Sequence, residues 1–325
     1  MTTADEHRPD TLDAFHAHAT RAYAQASGIY AEARICSAAR TLRRAVSAAA
    51  ACVVHEATAL PGEAAGELAL VAVLDAAGLV LADAARLGAL GALDEETELG
   101  TAIGEIDWAM GALNLAPALW LISPERTFVR RTRWIAQADG SSTFRRELIL
   151  PAPDRLPGRA PAGSARAAAS AFRQAATDRW RAAHTELAGA NVYEAAADLH
   201  ARWPTAARVL FSVELPRSGA TEWLLQLAAV QDADGAELAD PAAIAALADD
   251  EDHPLRTAVH LLTEAHRLLR TGCGITLPEE PERPGWMCTV RGAFPPSSVV
   301  FDLPEPGAVP LPARHGLPGQ SRLAA

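Results

Sequence analysis

An alanine-rich helical pattern near the start of the chain is the feature that most restricts its fold. From residue 12 to residue 36, apolar and small residues recur at steps of three and four, the spacing of one face of an α-helix. The pattern resumes as far as Val53, and Pro61 then ends it. Because alanine dominates this face, neighbouring helices can pack closely while burying little apolar area per residue. Further helices are expected over residues 61–90 and 94–114, so residues 1–122 are predicted to form a helical bundle.

Alternating apolar and polar residues, typical of half-buried strands, dominate the chain after residue 122. They predict three hairpins: 127–135 with 143–150, 209–215 with 223–229, and 286–290 with 299–303. Helices are expected between the hairpins, over residues 164–188 and 192–203 and from Pro254 onward. We therefore predict an α+β fold, with a mainly antiparallel sheet and helices packed on one face. The predicted α+β domain covers 123–303, and 304–325 is a Pro/Gly-rich tail expected to be disordered. No internal repeat of fixed period is evident.

The absence of lysine excludes several classes of enzyme. All 29 basic residues of the 325-residue chain are arginine. A P-loop, a pyridoxal Schiff base and a protein kinase each require a lysine amine, so none of these chemistries can operate here. A GC-rich genome explains the lack of lysine, because lysine codons are rich in A. We expect a bacterial protein. We predict no cofactor.

Cysteine usage and the chain start both predict a cytoplasmic protein. Cys36, Cys52, Cys273 and Cys288 form no CxxC pair, which is typical of buried thiols in a reducing compartment. The first ten residues are polar and acidic rather than basic and apolar, unlike a signal peptide. No apolar run is long enough for a membrane span, so we expect no membrane association.

A basic segment in the middle of this acidic chain is the first candidate site. Residues 124–181 carry twelve arginines and five acids, a net charge of +7 in a chain of net charge −11. The candidate anion-binding residues lie on the first predicted hairpin: Arg130, Arg131, Arg133, Arg145 and Arg146. Three explanations stay open: internal pairing with the acidic helical domain, a phosphate or nucleic acid, and a small acidic ligand. The overall negative charge makes nucleic acid the weaker alternative.

Histidines and carboxylates supply the second set of candidates. His253, His260 and Glu264 lie on or beside one predicted helix, where His260 and Glu264 are four residues apart and could form an acid–base pair. His55 and Glu56 are a second candidate pair. Acidic residues cluster at 94–107, and Glu98 and Glu105 share a helix face. Because no Glu-x-x-His occurs, we predict no metal site.

These patterns name no reaction. We favour a non-catalytic protein that binds a protein partner, another copy of itself or a small ligand. The first alternative is a cofactor-independent cyclase, isomerase or hydrolase with a His/carboxylate site between the domains. The second alternative is nucleic-acid binding through the arginine-rich hairpin.

Overall fold

The computed structural model describes residues 11–57, 68–91, 96–114, 129–136, 142–151, 165–214, 224–239, 244, 254–273, 287–291 and 298–308. The chain divides into two compact units. Unit 2 contains Ala24–Trp180, and unit 1 contains Met1–Tyr23 together with Arg181–Ala325. Both units combine helices with an antiparallel sheet, which confirms the predicted α+β class.

Unit 2 consists of helices on one five-stranded sheet. Its helices are α1 (Leu12–Ala45, from residue 24), α2 (Ala84–Ala89), α3 (Glu98–Asn114) and the first part of α4 (Ala165–Arg202). Its strands are β1 (Ala51–Ala57), β2 (Leu68–Leu74), β3 (Val80–Asp83), β4 (Val129–Ala136) and β5 (Ser142–Ile149). The strand order is β3-β2-β1-β5-β4, and all neighbours are antiparallel.

Unit 1 repeats this arrangement. It contains the first part of α1, α4 from residue 181, and α5 (Pro254–Cys273). Its strands are β6 (Arg208–Glu214), β7 (Leu224–Gln231), β8 (Glu237–Ala239), β9 (Met287–Arg291) and β10 (Ser298–Asp302). The order β8-β7-β6-β10-β9 is the order of unit 2, strand for strand.

The main core of unit 2 lies between the helices and one face of its sheet. Ile35 and Leu42 of α1 and Ile106 of α3 pack with Cys52 and Val54 of β1. Alternate residues of β1 point to the opposite face, where Ala51 and Val53 form a smaller apolar cluster with Leu74. The central strand is therefore apolar on both faces.

The two sheets belong to an internal duplication of about 157 residues. β1 begins at residue 51 and β6 at residue 208, and α1 and α4 end at residues 45 and 202. Residues 72–83 read AVLDAAGLVLAD and residues 229–240 read AVQDADGAELAD, with eight of twelve positions identical. The expectation that the chain contains no internal repeat is therefore wrong. Two copies at this long period, in an alanine-rich background, do not produce the short periodicity of solenoid repeats.

Equivalent contacts recur in the two copies. The carboxylate of Asp75 accepts hydrogen bonds from the backbone N–H groups of Ala77 (2.9 Å) and Leu79 (2.8 Å). Asp232 accepts the corresponding bonds from the N–H groups of Asp234 (3.0 Å) and Ala236 (2.8 Å). Gly78 and Gly235 have φ of 85° and 87°, the left-handed conformation that only glycine adopts at little cost. The same turn thus joins β2 to β3 and β7 to β8.

Several predicted helices differ from the structure. The helix expected to continue through Val53 is wrong, because α1 ends at Ala45 and β1 begins at Ala51. Residues 68–74 and 80–83 are strands rather than parts of a helix. The helices predicted over 164–188 and 192–203 are one continuous helix, α4. Apolar runs such as residues 68–74 carry no period-two signal when both sheet faces are apolar, so they resemble buried helix.

The remaining elements follow the predictions. α3 and α5 are present, and the three expected hairpins correspond to β4–β5, β6–β7 and β9–β10. The predicted boundary between residues 122 and 123 lies outside the described residues, and so do residues 309–325 of the predicted tail (304–325).

Candidate functional site

The predicted acid–base residues lie in different units. His55 and Glu56 are in β1 of unit 2, while His260 and Glu264 are on α5 of unit 1. His260 is exposed, and Glu264 pairs with Arg267 one turn along the same helix, with an Nε–Oε2 distance of 2.9 Å. His253 lies outside the described residues. An acid–base role for these residues stays a prediction.

The arginine-rich hairpin is formed by β4 and β5. Its backbone register places Arg133 directly opposite Arg145, and Arg145 directly opposite His55 of β1. Arg131 is opposite Glu147, and Arg146 is opposite Thr132. Arg130 lies where the register shifts between Val129 and Arg131. Anion binding by these five arginines stays a prediction.

A buried carboxylate links three helices of unit 2. Glu105 of α3 is buried, and its Oε2 accepts a hydrogen bond from Arg34 of α1 at 2.9 Å. Its Oε1 accepts a hydrogen bond from Arg173 of α4 at 2.8 Å. Burial lowers the pKa of Arg34, but the hydrogen bond and charge of Glu105 outweigh it and the pKa is raised. We call Glu105, Arg34 and Arg173 the Glu105 cluster.

An aromatic column stands beside this cluster. Trp180 and Tyr30 stack with ring centroids 4.3 Å apart and planes inclined by 10°. The Arg34 guanidinium lies over the Tyr30 ring at 4.9 Å and 6.0 Å from the centroid of Trp108, both within cation–π range. Trp180 is buried and donates to Ser27, whereas Trp108 is 53% exposed. The column therefore begins in the core and ends at the surface.

Sequence reasoning recognised only part of this arrangement. It identified the acidic cluster on α3 and placed Glu98 and Glu105 on one face. Both carboxylates pair with α1, Glu98 through Arg44 at 3.2 Å. Arg173, which belongs to the basic segment but lies on α4 rather than on the hairpin, pairs with Glu105, and internal pairing of the hairpin stays a prediction. Arg34, Tyr30 and Trp108 were missed, since they meet only in three dimensions. The available signal was an arginine directly after Ala33, next to the alanine-rich face of the helix.

Histidine–carboxylate pairs occur in unit 1, at positions other than those predicted. His16 Nδ1 of α1 lies 2.5 Å from Glu194 Oε2 of α4, and His18 lies 3.8 Å from the buried Glu186. The ring of Tyr23 meets the ring of His184 edge-on at 4.8 Å. With Phe15, Ala19 and Ala190, these contacts join the two helices within unit 1.

Two buried side chains have strongly shifted pKa values. Burial raises the pKa of the Cys52 thiol to about 12, so it remains protonated and unreactive at neutral pH. Burial, and then the charge of Arg270, lower the pKa of His266 to about 4. His266 occupies the core stripe of α5, as its spacing predicts.

One row of residues across the sheets distinguishes the two units. Cross-strand pairing joins Val80 to Leu74, Leu74 to Ala51, and Ala51 to Ile149. We call these four residues the apolar row. It lies on the sheet face opposite the main core, with Ala51 and Leu74 buried and Val80 and Ile149 exposed by 61% and 44%.

Unit 1 has charged or polar residues in the same register. The corresponding pairs join Glu237 to Gln231, Gln231 to Arg208, and Arg208 to Asp302. Arg208 Nε donates to Asp302 at 3.0 Å. We call these four residues the polar row. The same register therefore carries a polar row in one unit and, in the other, an apolar row whose two end residues, Val80 and Ile149, are exposed.

The part of the chain that the structure describes contains no group of three or more His, Cys, Asp or Glu side chains suited to a metal ion. Nor does any helix there have the length and apolarity needed to cross a membrane. The chain was compared with protein-family models, with curated proteins and with solved structures, and no significant match was found.

Proposed function

We propose that this is a non-catalytic binding protein of the bacterial cytosol, in which unit 2 recognises a protein partner through the apolar row. The observation that carries this proposal is the contrast between the two rows. An apolar side chain exposed singly is common, but the two exposed residues Val80 and Ile149 belong to one apolar row that replaces a polar row, which favours a binding surface.

The distribution of exposed apolar side chains supports the same unit. Five large apolar residues are exposed among the described residues, and all belong to unit 2: Leu79, Val80, Leu90, Trp108 and Ile149. The cytosolic location is supported by Cys52, a buried thiol that forms no disulfide, as suits a reducing compartment.

The test transfers the polar row into unit 2. The double variant Val80→Glu/Ile149→Asp places in unit 2 the residues that unit 1 carries in the same register. Sedimentation of the wild type over a concentration series detects self-association. Affinity capture from an extract of the source cells, quantified by mass spectrometry, detects a different partner. We expect one of these associations in the wild type and its loss in the double variant.

A matched control changes the polar row. Glu237→Gln alters the counterpart of Val80 without making it apolar, so we expect it to associate like the wild type. The proposal fails if every association of the wild type survives in a correctly folded Val80→Glu/Ile149→Asp variant. It also fails if neither assay detects any association that depends on the row.

A second candidate function, anion or nucleic-acid binding, is favoured by the register of the arginine-rich hairpin. Like charges directly opposite on neighbouring strands destabilise a sheet. The backbone register pairs Arg133 with Arg145, and two cationic residues at paired positions suit the binding of an anion. Retention on heparin that falls with salt, and that is lost in Arg133→Gln/Arg145→Gln, would support this function. Equal retention of wild type and variant would exclude it.

A further inference from the structure

We propose that the surface end of the aromatic column binds a planar anion, with a flat ring stacked on Trp108 and an acidic group paired with Arg173. This site is separate from the apolar row, because it is built from helices rather than from the sheet face. The proposal does not depend on the proposed protein partner.

The first support is the geometry of the column. Trp180, Tyr30 and Arg34 already form a stack, with Arg34 adjoining Trp108. The buried layers hold the guanidinium beside Trp108, whose indole is half exposed. An exposed, pre-positioned indole is a stacking platform for a flat ring, because both partners lose little conformational freedom on contact.

The second support is the charge of the Glu105 cluster, since Glu105 lies one turn before Trp108 on α3. Two arginines share the single carboxylate of Glu105, which leaves the cluster with one excess positive charge. Each arginine donates to Glu105 through only one of its amino groups. The Arg173 side chain is 44% exposed. Its other N–H groups can bind a carboxylate or a phosphate, which arginine matches with two parallel hydrogen bonds.

The third support is that only one of the duplicated copies has these residues. Unit 1 carries Asn191 and His16 at the positions of Arg34 and Arg173. Aligning the core stripes of α3 and α5 through Leu99 with Leu255 and Ile106 with Leu262 places Leu261 at Glu105 and Glu264 at Trp108. The fold therefore forms without the column and without the Glu105 cluster.

Binding is measured by calorimetry on the full chain with four probes. Adenosine 5′-monophosphate and indole-3-carboxylate both combine a flat ring with an anion, and they separate a nucleotide from an aromatic acid. Adenosine lacks the anion, and inorganic phosphate lacks the ring. We expect at least one of the first two probes to bind, and to bind at least about tenfold more tightly than adenosine or phosphate.

Variants locate the bound probe. Trp108→Ala and Arg173→Gln are each expected to weaken binding at least about tenfold. Arg44 is an exposed arginine of α1 that pairs with Glu98 of α3. The variant Arg44→Gln should therefore leave binding unchanged. Asp107→Asn removes the negative charge beside Trp108 and should tighten binding.

Trp108 is exposed, so its replacement tests the site even if Arg173→Gln weakens the fold. The proposal is overturned if neither ringed anion binds, or if binding is the same in the wild type and in Trp108→Ala. Loss of row-dependent association with retained probe binding would reject the proposed function alone.

Discussion

At the scale of single residues, the buried His266 contributes to the pH dependence of stability. His266 is buried on α5, and the core stripe of α3 has Met110 at the equivalent position. An apolar side chain therefore suits this site, and the histidine resides there mainly in its neutral form. Its folded-state pKa of about 4 lies below the ordinary value of 6.5.

We predict that His266→Met reduces the pH dependence of stability in acid. Between pH 6.5 and pH 4, the unfolded chain binds a proton at His266 that the folded chain does not. The stabilisation is complete above pH 6.5 and is lost as the pH falls, by up to about 3 kcal/mol. The measurement is urea unfolding of wild type and variant from pH 4 to pH 7.5.

The comparison between the two proteins isolates this histidine, because other titrating groups affect both curves alike. We expect the variant to gain stability relative to the wild type as the pH falls from 6.5. Parallel curves over this range would show that His266 keeps its ordinary pKa in the folded state.

At the scale of elements, the Glu105 cluster joins α1, α3 and α4 by charge where the alanine faces bury little apolar area. A buried ion pair is costly to break, because the remaining charge is left without a counterion. Glu105 is buried and serves two arginines, whereas Glu98 and Arg44 form an exposed pair between α1 and α3. The two pairs join the same two helices in different surroundings.

We predict that Glu105→Gln destabilises the protein by about 2 to 3 kcal/mol, a value reduced for the partial exposure of Arg173. Glu98→Gln, the matched control, should cost about 0.5 kcal/mol or less. Urea unfolding at neutral pH measures both. If the two variants were equally stable, Glu105 would contribute no more to the free energy of unfolding than a surface carboxylate does.

The sequence was most informative where one face of an element is buried. The period of α5 and the alternation in β6 predicted these elements, because a single apolar face leaves a clear periodic pattern. At β1 and β2 the sequence predicts helices, since Ala51 and Val53 are as apolar as Cys52 and Val54 and leave no alternating pattern. The candidate site was largely invisible, because Arg34, Trp108 and Arg173 lie far apart in the chain.

At the scale of the whole molecule, the duplication allows residues at equivalent positions of the two units to be compared. Buried positions agree closely: Ala31 with Ala188, Ala38 with Ala195, and Leu42 with Leu199. Arg43 and His200 even contact equivalent carbonyls, those of Ala49 at 2.9 Å and Ala206 at 2.8 Å. Buried positions are therefore shared between the copies, whereas the apolar row and the Glu105 cluster are present in unit 2 alone.

We predict that Gly78→Ala and Gly235→Ala destabilise the chain by similar amounts, each about 1 kcal/mol. Both glycines have positive φ, and a Cβ at either position meets no atom within 4 Å, so the cost is that of the backbone alone. Gly111→Ala on α3 is the control, with equally open surroundings but helical backbone. It should stabilise the protein by about 0.5 to 1 kcal/mol.

Urea unfolding at neutral pH compares the three variants with the wild type. Similar losses for the first two would indicate that the turns are energetically equivalent. A large loss at only one glycine would mean that the two copies no longer share the same turn.

The paired rows also make the surface of unit 2 a natural subject for engineering. At each exposed position of the apolar row, unit 1 shows a polar side chain that a backbone of the same register already carries. Grafting the residue types of Glu237 and Asp302 onto the exposed positions Val80 and Ile149 leaves the buried Ala51 and Leu74 unchanged and requires no search through sequence space. The polar copy is therefore a ready-made template for a variant that stays dispersed at high concentration.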